Sequence, residues 1–240
     1  MASSSAGEEA LPAGSVQTER HPAFVERIEE RERMVATQIA ARAIRDPRVL
    51  QAMRTVPRHA FVPAPQRALA YADHPLPIGH DQTISQPYVV AFMTEALALD
   101  PHSVVLEIGA GSGYQAAVCA EIAREVYSIE ILEPLAKSAA QVLASLGYAN
   151  VHIRTGDGYY GWPEAGPFDA IIGTAAALEV PPPLVAQLKP GGRMILPVEG
   201  QYGLQNLILL TKDEQGQLHR DAVMPVRFVP MTGRGQRDQE

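Results

Sequence analysis

Val104-Val105-Leu106-Glu107-Ile108-Gly109-Ala110-Gly111-Ser112-Gly113 decides the fold. A short apolar run that ends in glycines reads as a buried strand turning into a helix. Glycine reaches left-handed backbone angles there and lets a ligand come close. The spacing is G-x-G-x-G. A dinucleotide site needs G-x-G-x-x-G, and Tyr114 stands where its third glycine would be. Glu107 at the strand end argues the same way, since a carboxylate beside a helix N-terminus repels a pyrophosphate. It suits instead a ligand that carries a cationic amine.

Downstream, helical and strand patterns alternate. A helix over about 113–123, a strand Val126–Ile129, a helix over about 134–146 and a strand Val151–Arg154 come first. A strand Ala170–Ile172, a proline-led helix Pro181–Leu188 and a strand Met194–Leu196 follow. Continuous apolar strands between helices predict a parallel sheet covered on both faces. Leu204–Thr211 and Leu218–Val229, split by a polar run with Gly216, predict an antiparallel hairpin.

Upstream, residues 1–22 are rich in Ser, Ala, Gly and Pro and read as a mobile tail. Residues 23–45 predict a charged helix with Phe24, Ile28, Val35 and Ile39 on one stripe and Glu29–Arg33 as a solvated face. Asp46-Pro47 opens a second helix, with Val49, Leu50, Met53 and Val56 inward. Pro57, Pro63, Pro65, Pro75 and Pro77 break the next stretch into irregular segments. Ser85 reads as the cap of a further helix whose second position is Pro87.

Two more carboxylates stand at strand ends. Glu130 lies 23 residues after Glu107, where an acid can accept both hydroxyls of a ribose. Asp157, in Gly156-Asp157-Gly158, follows the third strand and can meet an adenine amino edge. Ligands of open α/β sheets bind at the carboxyl ends of the strands. S-adenosylmethionine, with its amine, sulfonium, ribose and adenine, matches the three acids.

The 240 residues are 46% hydrophobic and 20% charged, ordinary for one globular domain with appendages. The formal charge is −7, and no basic block is present to neutralise phosphates, so no nucleic-acid partner is expected. No apolar run approaches the ~20 residues of a membrane span, and the N-terminus lacks the basic and apolar regions of a secretory signal. Cys119 alone excludes an intrachain disulfide, and the scattered histidines form no metal-ligand pair. These features predict a cytoplasmic protein without metal or membrane partner.

Several stretches narrow the reading. They are Val56-Pro57-Arg58-His59-Ala60-Phe61-Val62-Pro63, Leu76-Pro77-Ile78-Gly79, Gln82-Thr83-Ile84-Ser85-Gln86-Pro87 and Phe168-Asp169-Ala170-Ile171. Thr174-Ala175-Ala176-Ala177, Gln187-Leu188-Lys189-Pro190-Gly191-Gly192 and Val226-Arg227-Phe228-Val229-Pro230-Met231-Thr232 complete the set. With the glycine loop they resemble class I S-adenosylmethionine-dependent methyltransferases, and among these the protein-L-isoaspartate O-methyltransferase family. The likeness covers roughly residues 30–233.

The resemblance implies an α/β fold: a doubly wound, mostly parallel, seven-stranded Rossmann-like sheet with a C-terminal antiparallel hairpin and N-terminal helical additions. Residues 23–84 would then cover the site, 85–232 form the methyltransferase core and 233–240 a C-terminal tail. The implied activity is methylation of the free α-carboxylate of isoaspartyl residues in damaged proteins and peptides by a monomer, with S-adenosyl-L-homocysteine as product. Ser85 is the implied catalytic residue. Gln82, Thr83, Ile84, Ser85 and Thr232 would surround the cofactor with Glu107, Gly109, Gly111, Gly113, Glu130, Asp157 and Gly158. Ser85, Thr174, Ala175 and Ala176 would border the substrate.

A carboxylate substrate is already ionised at neutral pH, so the displacement needs no general base. Asp81, Gly173 and Leu178 depart from the family pattern. Asp81, before Gln-Thr-Ile-Ser, leaves open a relative that binds cofactor without turnover or methylates another carboxylate. If its position needs a positive φ, Asp is tolerated there better than most residues but not freely. Its carboxylate is expected to face solvent or cap the loop backbone, since near the site it would repel the substrate carboxylate.

Overall fold

The computed structural model describes residues 21–235. The first twenty residues of the expected tail and the last five of the chain lie outside them. His21 and Pro22 already belong to a single helical turn, Pro22–Phe24, with His21 as its cap. Helix α1 (Ile28–Met34) comes next.

The one long helix expected over 23–45 is a broken one. Arg27 at φ 51° precedes α1, Val35–Ile39 is π-helical, and Ala43 at φ 70° ends the turn Ala40–Arg42. Tertiary bonds override the helical pattern. Arg27 forks onto Glu30 at 2.6 Å and also reaches the Arg67 carbonyl. The run 29–33 is not a uniform solvated face either. Arg31 is only 3% exposed and donates to the Phe24 carbonyl at 2.7 Å.

Helix α2 (Pro47–Thr55) starts as the sequence predicts. Asp46 Oδ1 accepts from the Arg48 amide at 2.8 Å, and Val49 and Met53 are buried. The proline-rich stretch contains two short helical turns and a hairpin that sequence periodicity does not show: β1 (Leu76–Gly79) against β2 (Gln82–Ile84). Its two turn residues, His80 and Asp81, have φ of 53° and 57°. A type I′ turn requires this of both central residues and favours glycine at the second. Asp81 is exposed, as expected. Asp81→Gly should therefore leave turnover unchanged and raise stability by up to about 1 kcal/mol, since glycine carries no left-handed penalty. Thermal unfolding beside a turnover assay checks this; a steep loss of activity would show a direct role for the carboxylate.

Helix α3 (Pro87–Ala96) begins one position later than expected. Gln86 is its cap, and Ser85 makes no capping bond. The core continues through β3 (Val104–Ile108), α4 (Tyr114–Ala120), β4 (Glu125–Glu130), α5 (Glu133–Ser145), β5 (Val151–Thr155) and β6 (Phe168–Gly173). It ends with α6 (Pro182–Gln187), β7 (Leu188–Glu199), β8 (Gln205–Lys212) and β9 (Leu218–Val226). The sheet order is β5-β4-β3-β6-β7-β8-β9, parallel as far as β7 and antiparallel over β8 and β9. The predicted sheet and C-terminal hairpin are borne out.

The chain winds outward from β3 to β5, then returns to lay β6 against the other edge of β3. That reversal opens a crevice above the carboxyl ends of β3 and β6. All of β3 is buried, and its side chains alternate between two cores. Val105 packs with the N-terminal helices, while Leu106 and Ile108 pack on the opposite face. Each of these three apolar side chains contributes roughly 1.5–3 kcal/mol by burial.

Candidate active site

Backbone geometry at the end of β3 builds a cleft of about 820 Å³. The Gly109 and Ala110 amides both donate to the Ile129 carbonyl, at 2.8 and 3.1 Å, which ties the glycine loop to β4. Gly109, at φ 96°, brings Thr174 close, since a Cβ there would stand 2.5 Å from Thr174 Oγ1. Gly111 turns its amide onto Glu130 Oε2 at 2.8 Å. The Leu132 amide donates to Glu130 Oε1 at 2.9 Å. The Glu130 carboxylate is thus held in one orientation by two backbone donors, with lone pairs left over for the cleft.

Ser85 lies in the link from β2 to α3 and lines this cleft. It also lines a neighbouring groove of about 1060 Å³, as do Thr83, Thr174 and Val229. Thr174 Oγ1 lies within hydrogen-bond reach of the Ile108 and Gly109 carbonyls, at 3.0 and 2.5 Å, and shares its one proton between them at the boundary of the two spaces.

The residues expected around the site divide. Gln82, Thr83, Ile84 and Ser85 line the cleft from one side, and Gly109, Gly111 and Glu130 form its floor. Gly158, Thr174, Ala175 and Thr232 line it as well. Four others do not.

Glu107 is the main correction. It shares the face of Val105, so its side chain enters the core beneath α4 instead of pointing along the strand to the mouth. It is 0% exposed and accepts from the Ser128 hydroxyl. Gly113, at φ 86°, is set back as the cap of α4, and a Cβ there would press within 3.1 Å of Leu143. Its task is close packing of α4 on α5. Asp157 caps a turn through the Tyr159 amide and accepts from the Arg234 amide, at 2.9 and 2.8 Å. Residues 233–235 therefore form a docked turn, not a free tail. Ala176 is occupied on both sides of its backbone, its amide on the Val229 carbonyl at 2.8 Å and its carbonyl on the Met231 amide at 2.7 Å.

Burial pushes the Glu107 carboxyl up to about 8, against the pull of the Ser128 hydroxyl and with a further push from Glu130. An unfolded glutamate titrates near ~4.3. Between those values the folded chain holds the extra proton, so stability falls as pH rises through the window and the full penalty is present above it. Glu107→Gln removes this titration. Between pH 6 and 9 the melting temperature of the unmodified protein should drop relative to Glu107→Gln by at least ~2–4 °C, the shift given by about 1 kcal/mol in a domain of this size. Parallel curves for the two proteins would refute the buried titration.

The sequence reading missed Gln115, Ile131, Leu132, Val229 and Met231, which also line the cleft. The signals were adjacency and family motif: Gln115 stands two residues after the last glycine of the loop, and the last two lie in Val226–Thr232. Cys119 is core as expected, and burial pushes its thiol up to about 12. Trp162 is a packing residue, edge-on to Tyr127 and beneath the Arg154 guanidinium at 4.2 Å.

The cradle suits S-adenosylmethionine. Glu130 is set to take ribose hydroxyls, Ile129 and Ile131 offer apolar contact to a base, and the loop admits close approach. Among the described residues no cluster of three or more metal-ligating side chains occurs.

Comparison with known proteins agrees with this geometry. The sequence model of the family described as protein-L-isoaspartate(D-aspartate) O-methyltransferase matches residues 29–236. The chain is 58% identical over 210 residues to protein-L-isoaspartate O-methyltransferase 2 of Syntrophobacter fumaroxidans, covering 88% of this chain and 85% of that one. It is 60% identical over 206 residues to protein-L-isoaspartate O-methyltransferase of Opitutus terrae, covering 86% and 88%. A solved protein-L-isoaspartate O-methyltransferase superposes with a TM-score of 0.79 at 31% identity, over 85% of this chain and 67% of that one. A Plasmodium falciparum protein, solved with S-adenosyl-L-homocysteine and described as a protein-L-isoaspartate O-methyltransferase, gives a TM-score of 0.73 at 26% identity, over 84% and 98%. A match along nearly the whole described chain, together with the glycine loop and the cleft it builds, makes this chain a member of the protein-L-isoaspartate O-methyltransferase family.

Proposed function

We infer that the chain transfers a methyl group from S-adenosylmethionine to the free α-carboxylate of L-isoaspartyl residues in damaged proteins and peptides. The observation that carries this reading is the pair of spaces meeting at Ser85 and Thr174. One suits the methyl donor. The other is an open groove with room for an extended chain. Bound S-adenosylmethionine supplies an electrophilic methyl on a sulfonium.

The chain's own residues do the aligning. Among the described residues nothing engages the Ser85 hydroxyl, which leaves it to hold one oxygen of an incoming carboxylate. The other oxygen then faces the methyl, and no proton has to move. Alignment and exclusion of water around opposite charges supply the rate. The backbone nitrogen on the side-chain carbonyl then attacks the methyl ester, expels methanol and closes a succinimide, whose hydrolysis returns part of the damage to aspartate.

The same reading takes the protein to be a cytoplasmic monomer. Its one cysteine is buried and free, as a reducing compartment allows, and no helix among the described residues is long and apolar enough to cross a membrane. The test pairs an isoaspartyl peptide with its aspartyl twin under methyl-labelled cofactor. Label should enter only the isoaspartyl peptide, as a base-labile ester. Equal labelling of both, or of neither while cofactor binds, overturns the reading.

A further inference from the structure

Removing Glu107 from the mouth of the cleft leaves the amine of S-adenosylmethionine without its expected acceptor. The cleft holds another candidate. Gln115, in the first turn of α4, is 7% exposed and lines the cleft. Its Nε2 donates to Thr94 Oγ1 at 2.9 Å and to Cys119 Sγ at 3.4 Å.

The direction of that amide follows from proton accounting. Thr94 Oγ1 spends its only proton on the Val90 carbonyl, at 2.8 Å. Toward Gln115 it can therefore only accept, so the NH₂ end must face it and the carbonyl end must face away. Thr94 and Cys119 take the amide's two protons. Gln115 Oε1 has no donor among the described residues, and it is not one of the sealed, unpartnered polar atoms of the core. For a side chain this buried, the open space it meets is the cleft.

We propose that Gln115 Oε1 is the acceptor for the α-ammonium of the methionine portion of the cofactor, and so a positioning residue for the methyl donor. This rests on the cofactor reading of the cleft. A fixed carbonyl oxygen attracts an ammonium and repels the neighbouring carboxylate, so it selects which way round the amino-acid end sits. The location fits. Gln115 is bonded to α3, the helix that Ser85 precedes, whereas Glu130 lies at the end of β4 on the ribose side. Between them the ligand would be held at both ends, with the sulfonium in the middle near Ser85. Thr94 acts one step back, by fixing the amide's direction.

The experiment compares two ligands on purified full-length protein by calorimetry. One is S-adenosylhomocysteine. The other is its deaminated analogue, in which hydrogen replaces the amine. Gln115→Leu keeps the bulk and loses the carbonyl. It should weaken S-adenosylhomocysteine roughly 10- to 150-fold, the range for a hydrogen bond to a charged group, and change the analogue less than about twofold. Retained analogue binding also shows that the variant is folded. Equal weakening of both ligands, or of neither, overturns the proposal. If Gln115→Leu does not fold, Thr94→Val decides: with the amide released, S-adenosylhomocysteine should weaken several-fold and the analogue should not, and an unchanged ratio refutes the inference. An unmodified chain that binds neither ligand would refute the cofactor reading and this inference with it. If the unmodified chain binds and the variants show no selectivity, only the role of Gln115 falls.

Discussion

Ser85→Ala should lose methyl transfer while keeping cofactor. A hydroxyl bonded to a carboxylate contributes about 1.5–3 kcal/mol, and in the proposed role it orients the reacting oxygen, so single-turnover transfer at saturating cofactor should fall roughly 10- to 150-fold. Cofactor affinity should change far less, because the cleft keeps its floor of Gly109, Gly111 and Glu130. The fold should not suffer, since the cap of α3 is Gln86. That removes the confusion a lost cap would bring. Ser85→Thr keeps the hydroxyl and should retain more activity than alanine. A transfer rate for Ser85→Ala equal to that of the unmodified protein would leave the partition at Thr174 and the backbone beside Ile84 to align the substrate.

Glu130 should show the opposite division: a large loss of cofactor binding with the substrate groove intact. Glu130→Ala removes the proposed acceptor for the ribose and also strands the Gly111 and Leu132 amides that its carboxylate holds. Affinity for S-adenosylhomocysteine should drop at least ~10- to 150-fold, from about 1.5–3 kcal/mol for the charged hydrogen bond alone. Glutamine is not a conservative replacement here. Each carboxylate oxygen already faces a backbone N–H, so one of those amides would meet the new NH₂ group, donor against donor. Glu130→Gln should therefore bind almost as poorly as Glu130→Ala. Calorimetry on both variants checks this, and a glutamine variant that binds normally would mean the two amides do not orient the side chain.

The parallel sheet is legible in the sequence because its strands are buried on both faces and stay apolar without interruption, as in Val104–Ile108. The N-terminal segment is less so. Its shape depends on which carbonyls Arg27 and Arg31 reach, that of Arg67 far along the chain and that of Phe24 within the segment, and no helical period records that. The acids at the strand ends show both outcomes. Glu130 stands last on its strand and reaches the cleft. Glu107 stands one residue before the end of its own, and strand alternation already puts it on the face of Val105. That signal was present in the sequence, and charge alone hid it. Gln115 was missed for the reverse reason: a neutral amide draws no attention until the protons around it are counted.

The segment beyond β9 bonds Ala176 through Val229 and Met231, and Asp157 through Arg234. A ribosome that has reached Val226 has laid down every strand of the sheet, yet not the stretch that closes one side of the cleft. The cleft is thus closed by residues that follow the whole sheet along the chain. Cofactor can stabilise only a state that binds it, so it gives little help to a nascent chain before that stretch emerges. Met231, in that stretch, is also a buried member of the core on one face of the sheet, so closing the cleft and completing that core are one event.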